Sequence, residues 1–192
     1  FLQLVNAYHD QDYFPKEELQ TIPIKDIVAY LKMTHASYLN TTLSEIEQKI
    51  FSLASEDTED KKYIELIRNF FEGYKTELTA HIMHEEDVVF PYVLTVDEII
   101  KKQKFSDKNQ QIFDSFSIEK YEEGHDDVEE KLMDLRTIMI KYLTPPANVT
   151  LYHSIIQDLF RLEEDLNYHS RIEDKVLIPK IILMEKSIKN LF

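Results

Sequence analysis

Cysteine is absent from the chain. That excludes a disulfide framework, a thiolate zinc site, a cysteine-ligated iron–sulfur cluster and a cysteine nucleophile. Glycine occurs twice and proline six times; with no long polar run beside them, so few breakers argue against internal disorder. Basic residues are the minority, 22 against 36 acidic ones, for a net charge of −14. Duplex nucleic acid needs a basic face, so it is not expected as a partner. An anionic membrane surface is disfavoured for the same reason. No apolar run approaches the ~18 residues of a membrane span. No secretory leader pattern is visible, and a cytoplasmic location is the expectation. The 192 residues suffice for one domain with a real core.

What the chain does contain is a repeat. The stretch His81-Ile-Met-His-Glu85-Glu-Asp-Val-Val-Phe-Pro91 is echoed by His169-Ser-Arg-Ile-Glu173-Asp-Lys-Val-Leu-Ile-Pro179. Each copy has Glu at +4, an acid at +5, Val at +7 and Pro at +10, and the copies lie 88 residues apart (169 − 81, 173 − 85). Residues four apart on a helix share a face, so each copy aims an imidazole and a carboxylate in one direction. His35 precedes His81 by 46 residues, and His125 precedes His169 by 44. The chain reads as a helical hairpin written twice, each bringing two histidines and one glutamate.

Four amphipathic stretches carry these residues. The first runs from Pro23, with Val28, Leu31, His35, Tyr38, Ile46 and Ile50 on its apolar face, to about Ser55. The second runs from about Asp60 to about Val89 with Ile67, Phe71, Tyr74, Leu78, His81 and Glu85 in stripe, and Pro91 is expected to end or kink it. Residues 92–116 show no clear pattern beyond a possible short helix over Val93–Ile100 and a solvated connector from Lys101. The third starts at Ser117 and passes through Tyr121, His125, Leu132 and Met139 to Thr144-Pro145-Pro146. Asn148 caps the fourth, whose stripe of Leu159, Leu162, Leu166, His169 and Glu173 is expected to close at Pro179. No stretch alternates with the period of a half-buried strand. The expected fold is all-α, an antiparallel up-down four-helix bundle. Its bounds are 23–180, with an irregular lead-in over 1–22 and a C-terminal extension over 181–192.

All four stripe histidines stand where the rhythm asks for Leu or Ile. A lone histidine of this kind is usually a satisfied core imidazole; four at matching places in two hairpins point elsewhere. Glu85 and Glu173 strengthen the case, because a carboxylate removed from water is strongly unfavourable unless paired or bound to a metal. None of the four stripes holds a Lys or Arg to neutralise it. Neutral imidazoles and ionised carboxylates are what a metal requires. Six ligands, four nitrogen and two carboxylate, exceed a closed tetrahedral zinc site, while calcium and magnesium would take mostly oxygen. Two metals sharing both carboxylates as bridges fit the count and leave a place for a small ligand. Iron is favoured by the nitrogen share, and manganese or a mixed pair remains open.

The paired motifs, together with Glu123-Gly-His125-Asp and Thr144-Pro-Pro, resemble the hemerythrin-like (HHE cation-binding) family. Within it the chain is most similar to the di-iron domain of repair-of-iron-centres proteins, which act on damaged iron–sulfur clusters after oxidative or nitrosative stress. The resemblance covers residues 24–180. It implies a four-helix bundle holding two non-haem irons as an Fe–O–Fe or Fe–OH–Fe centre. His35, His81, His125 and His169 would be terminal ligands, and Glu85 and Glu173 the bridges. It further implies O2 or NO as a small ligand and a damaged iron–sulfur protein as a partner. Two departures stand out. The cysteine-pair module common in repair proteins is missing, and Glu129 occupies the position where oxygen-carrying hemerythrins have a second third-helix histidine.

Other polar residues carry less. His84 sits on the flank of the metal face, His153 is nearly opposite in phase to His169, and His9 lies in the lead-in. Glu122-x-x-His125 is a single copy of a spacing that ferritin-like sites use twice. The acid run from Glu122 to Glu130 reads as a solvated helix face. Tyr38, Tyr74 and Tyr121 are at stripe spacing, chiefly packing residues, with hydrogen bonding to an iron-bound ligand or redox protection as the functional alternative.

Three functions follow. The first is a stress protein whose di-iron centre handles O2, NO or iron for repair of iron–sulfur centres. The second is a non-enzymatic O2-, NO- or redox-sensing module of a larger regulator, in keeping with the start at Phe1 and the apolar end Leu191-Phe192. The third is a structural bundle with incidental metal.

Overall fold

In a computed structural model of the protein, the described residues are 19–53, 58–123, 128–142 and 148–191. Their regular structure is entirely helical: nine α-helices and three π-helical turns, with no strand among the described residues. The helices are α1 Ile24–Ser37, α2 Leu43–Phe51, α3 Thr58–His84, α4 Phe90–Lys102, α5 Asp107–Ser115, α6 Ile118–Glu123, α7 Val128–Tyr142, α8 Val149–Ile172 and α9 Ile178–Leu191. The π turns are π1 Tyr38–Thr42, π2 Glu85–Val89 and π3 Glu173–Leu177, each continuous with the α-helices on either side.

The chain divides into two compact units. One comprises residues 1–33, 83–126 and 168–192, and its apolar centre includes Ile27, Leu31, Phe90, Val93, Val96, Ile172 and Ile181, all buried. These positions recur at four residues along α1 and at three along α4, so each of these helices turns one stripe inward. The other unit comprises residues 34–82 and 127–167, with Leu43, Ile46, Phe71, Leu78, Leu132, Leu135, Leu159 and Leu162 buried inside it. Ion pairs dress its surface, among them Lys75 with Glu47 at 2.7 Å and Arg136 with Glu163 at 3.2 Å. Partly exposed pairs of this sort contribute little each. Burial of the stripes is the dominant stabilising term.

Two sequence expectations need correction. Neither Pro91 nor Pro179 ends its helix. In both places a π turn comes first: the Phe90 N–H reaches back to Glu85 O, and the Ile178 N–H to Glu173 O. A proline ring in a regular α-helix clashes with the carbonyl four residues back and leaves it without a donor. The wider π turn relieves that crowding, and α4 then holds Pro91 in its first turn, where a missing N–H costs least. At Pro179 the carbonyl four residues back, Lys175 O, accepts from Gln20 Nε2 at 3.4 Å, and Val176 O accepts from the same nitrogen at 3.2 Å. The helical run therefore continues to Leu191, and Ile181, Glu185 and Ile188 on it are buried.

The second correction concerns the ends and the connector. The first helical run stops at Phe51, short of Ser55, where Arg68 Nη2 takes the Phe51 and Leu53 carbonyls at 2.8 and 2.7 Å. Residues 92–116 are largely helical. α4 closes at Gln103, whose φ of 49° is left-handed, and α5 opens on Ser106, whose hydroxyl accepts from the Asn109 N–H at 3.2 Å. Asn148 does cap the fourth stretch, its Oδ1 accepting from the Leu151 N–H at 3.0 Å.

Candidate metal centre

The candidate ligands gather around the junctions between α-helices and π turns. His35 lies in the last turn of α1 and His169 in the last turn of α8. Glu85 and Glu173 are the first residues of π2 and π3. The repeat seen in sequence is thus also a repeat in backbone: His, one α turn, Glu, then a π turn, twice, 88 residues apart. One i→i+5 turn inserts a residue into the α-helical phase, so the apolar stripe beyond it is re-aimed relative to the stripe before it. That is how Glu85 and Val89, or Glu173 with Val176 and Leu177, can all be buried on one run. π turns of this kind are frequent at functional sites.

Four of the six expected ligands come together. One ligand atom from each of His35, Glu85, His169 and Glu173 lies within 4.8 Å of every other. All four residues are buried, at 1%, 1%, 5% and 4% exposure. His169 Nε2 approaches Glu173 Oε1 to 3.4 Å. The Tyr121 hydroxyl donates to Glu85 Oε1 at 2.8 Å. Burial and then the charges of Glu85 and Glu173 push the Tyr121 phenol far above its ordinary value. It therefore stays protonated and remains a donor to the carboxylate. His81 stands four residues before Glu85 at the end of α3, half-buried, outside this group of four. His125 lies outside the described residues, as does His9.

The donor set fits a divalent cation. Two carboxylates this close and this dry repel each other and have lost most of their hydration. Two imidazoles and two carboxylates with converging lone pairs are ligands for iron, manganese or zinc, and a cation among them would offset both costs. Such a cation would be held by His35, Glu85, His169 and Glu173, and it would supply Lewis acidity and a place for a small exogenous ligand.

The other polar candidates have separate roles. His84 is exposed, with its ring 6.1 Å from that of Tyr121. His153 is exposed beside Tyr152 at 5.8 Å. The Tyr38 hydroxyl turns to the Asp165 carbonyl at 3.2 Å, and the Tyr74 ring packs 6.3 Å from Phe71. Tyr121 packs against the apolar centre of its unit, the chief role expected of it in sequence, and its hydroxyl also bonds a candidate ligand. Glu185 escaped the sequence reading altogether. Its signal was present, since it breaks an otherwise apolar stripe of Ile178, Ile181 and Ile188 at helical spacing.

Comparison with known proteins adds one finding. The sequence profile of the hemerythrin HHE cation binding domain matches residues 27–181. No curated protein and no solved structure matches the chain significantly. The matched span covers both His-x-x-x-Glu copies and His35, and on that ground the chain belongs to the hemerythrin HHE cation-binding domain family.

Proposed function

We propose that the protein is a non-haem di-iron protein of the oxidative or nitrosative stress response, handling O2, NO or iron for the repair of iron–sulfur centres. Family membership implies metal-ion binding, and the convergence of four buried side chains within 4.8 Å is the observation that carries the reading further. The full ligand set in this reading is His35, His81, Glu85, His125, His169 and Glu173, with the two glutamates as bridges. A pair of irons bound there would supply an open position for a diatomic ligand; manganese or a mixed pair is the alternative metal content. The helical stretches α1–α2, α3–α4, α6 with α7, and α8–α9 are proposed to supply the four members of an up-down bundle, in the cytoplasm.

Tyr121 supports a small-ligand role. A phenol held protonated at 2.8 Å from a candidate bridging carboxylate supplies a fixed donor at the edge of the site. A second reading, sensing within a larger regulator, draws on the unbroken helical run from Glu173 to Leu191. A displacement of the carboxylate would be passed along that rod.

The test is metal analysis of protein purified without added metal, followed by optical spectra in air, with reductant and with NO. About two irons per chain, with an absorption band lost on reduction and a new one on NO addition, would support the proposal. Zinc alone at one per chain would refute it.

A further inference from the structure

Glu185 is a carboxylate with 2% exposure in an apolar core, away from the four clustered ligands. Its Oε1 accepts from the Tyr92 hydroxyl at 2.5 Å and from the backbone N–H of Ile118 at 3.2 Å. Ile118 is the first residue of α6, and α6 is the helix that carries Tyr121. Three residues further along, the Tyr121 hydroxyl meets Glu85. The Phe116 ring fills the space between, with its centroid 4.9 Å from that of Tyr92 and 6.1 Å from that of Tyr121.

The internal repeat gives each side chain of this contact a counterpart. Moving 88 residues back takes Glu185 to Asp97, Tyr92 corresponds to Lys180, and Lys189 corresponds to Lys101 (185 − 97, 180 − 92, 189 − 101). Both acids keep their lysine four residues on: Lys101 to Asp97 at 2.6 Å and Lys189 to Glu185 at 3.9 Å. Asp97 acts electrostatically on Lys180, as Glu185 does on Tyr92. Lys180 Nζ donates to the carbonyls of Gln20 and Ile22 at 2.8 and 2.6 Å, directly ahead of α1 and its His35. The run that carries His169 and Glu173 therefore reaches on past Pro179 and grips two starts, the approach to α1 through Lys180 and the first residue of α6 through Glu185. One grip uses a cation on carbonyls, the other a carboxylate on an N–H.

The halves differ in what the gripped helix delivers. Four residues before His35 stands Leu31; four before His125 stands Tyr121. At that position only the second helix has a hydroxyl. A buried carboxylate is costly in a core, and an apolar residue would fill the same space at lower cost. What Leu could not do is hold the Ile118 N–H in place.

We propose that Glu185 is a positioning residue of the metal site, fixing the start of the helix that lays the Tyr121 phenol on Glu85. The proposal rests on the metal-binding reading for its functional meaning and on the hydrogen bonds for its geometry. Two readouts test them separately.

The first readout is Co2+ titration of the full chain for wild type, Tyr121→Phe, Glu185→Leu and the double variant. Loss of an outer partner of a ligand weakens metal binding by about 10- to 100-fold. Each single variant is expected to fall in that range, and the double to be no weaker than either single. Multiplying losses in the double, or a folded Glu185→Leu variant with wild-type affinity, would overturn the proposal. Should Glu185→Leu lose its helical circular dichroism, Glu185→Asp replaces it. The shorter side chain keeps the charge but cannot span to both donors, so a folded Asp variant with wild-type affinity is equally fatal.

The second readout is the ring resonance of 13C-labelled Tyr121 in metal-free protein, assigned by its loss in Tyr121→Phe. It should move in the Glu185 variants; an unmoved resonance refutes the positioning role whatever the metal does. Glu85→Gln is titrated alongside. If it binds Co2+ as wild type does, the metal reading has failed and the resonance alone decides the inference.

Discussion

Replacing Glu85 by glutamine should make the metal-free protein more stable and the metal-loaded protein less so. The structure places a Glu85 oxygen within 4.8 Å of one from Glu173, both nearly fully buried. Two unit charges at that separation repel by about 3.5 kcal/mol at an effective dielectric of about 20. Glutamine removes the charge, keeps the shape and still offers a carbonyl to the Tyr121 hydroxyl. Part of the repulsion is already offset by His169, 3.4 Å from Glu173. A net gain of about 1–2 kcal/mol is expected without metal, or roughly 2–8 °C in Tm for a chain of this size. With divalent metal at about 100 times Kd, the wild type should gain about 2.7 kcal/mol. The variant, having lost a ligand charge, should gain much less, so the order of the two melting curves inverts. Differential scanning calorimetry with chelator and with metal measures both. A variant less stable than wild type in chelator, by an amount that metal does not change, would refute the reasoning. Glu85 would then be a structural carboxylate rather than one strained by the absence of a cation.

Further outcomes follow from the same contacts. His169→Ala should weaken metal binding by more than about tenfold in equilibrium dialysis, since the side chain itself converges on the cluster; an unchanged affinity counts against the site. Gln20→Ala should cost about 1 kcal/mol in urea denaturation, because it strips the donor from the Lys175 and Val176 carbonyls beside Pro179. A neutral outcome would mean that the proline is tolerated by the π turn alone. Tyr92 titrates later in the folded protein than in the unfolded chain, whose value is 10.0, because burial and then the bond to Glu185 favour the neutral phenol. Above pH 10 the unfolded state therefore binds fewer protons than the folded one, and stability is lost as pH rises from there. Tyr92→Phe should flatten that alkaline slope in denaturation series taken from pH 9 to 11. An identical slope in the variant would remove Tyr92 from the account.

The periodic part of the protein was open to reading along the chain. Helical stripes arise from hydrogen bonds four residues long, so Leu31, Phe71, Leu78, Leu159 and Leu162 declare their face by spacing alone. The same locality exposed the 88-residue repeat and the placing of His35, Glu85, His169 and Glu173 on apolar stripes. His81 lies on the same stripe and is half-buried. Spacing gives the face of a helix, not the depth of a side chain on it.

What tertiary structure alone decided lies at longer range. Neither proline announced that it would sit inside a continuing helix, because the rescue at Pro179 comes from Gln20, far away in sequence. The π turns have no propensity signature; they are stabilised where packing on both sides demands a change of phase. Tyr121 and Glu185 each had a visible place in a stripe, but their partners, Glu85 and the Ile118 N–H, belong to other helices. A sequence shows which residues a helix will bury, since that depends on neighbours a turn away. Which buried polar group meets which depends on how several helices converge, and only the folded chain sets that.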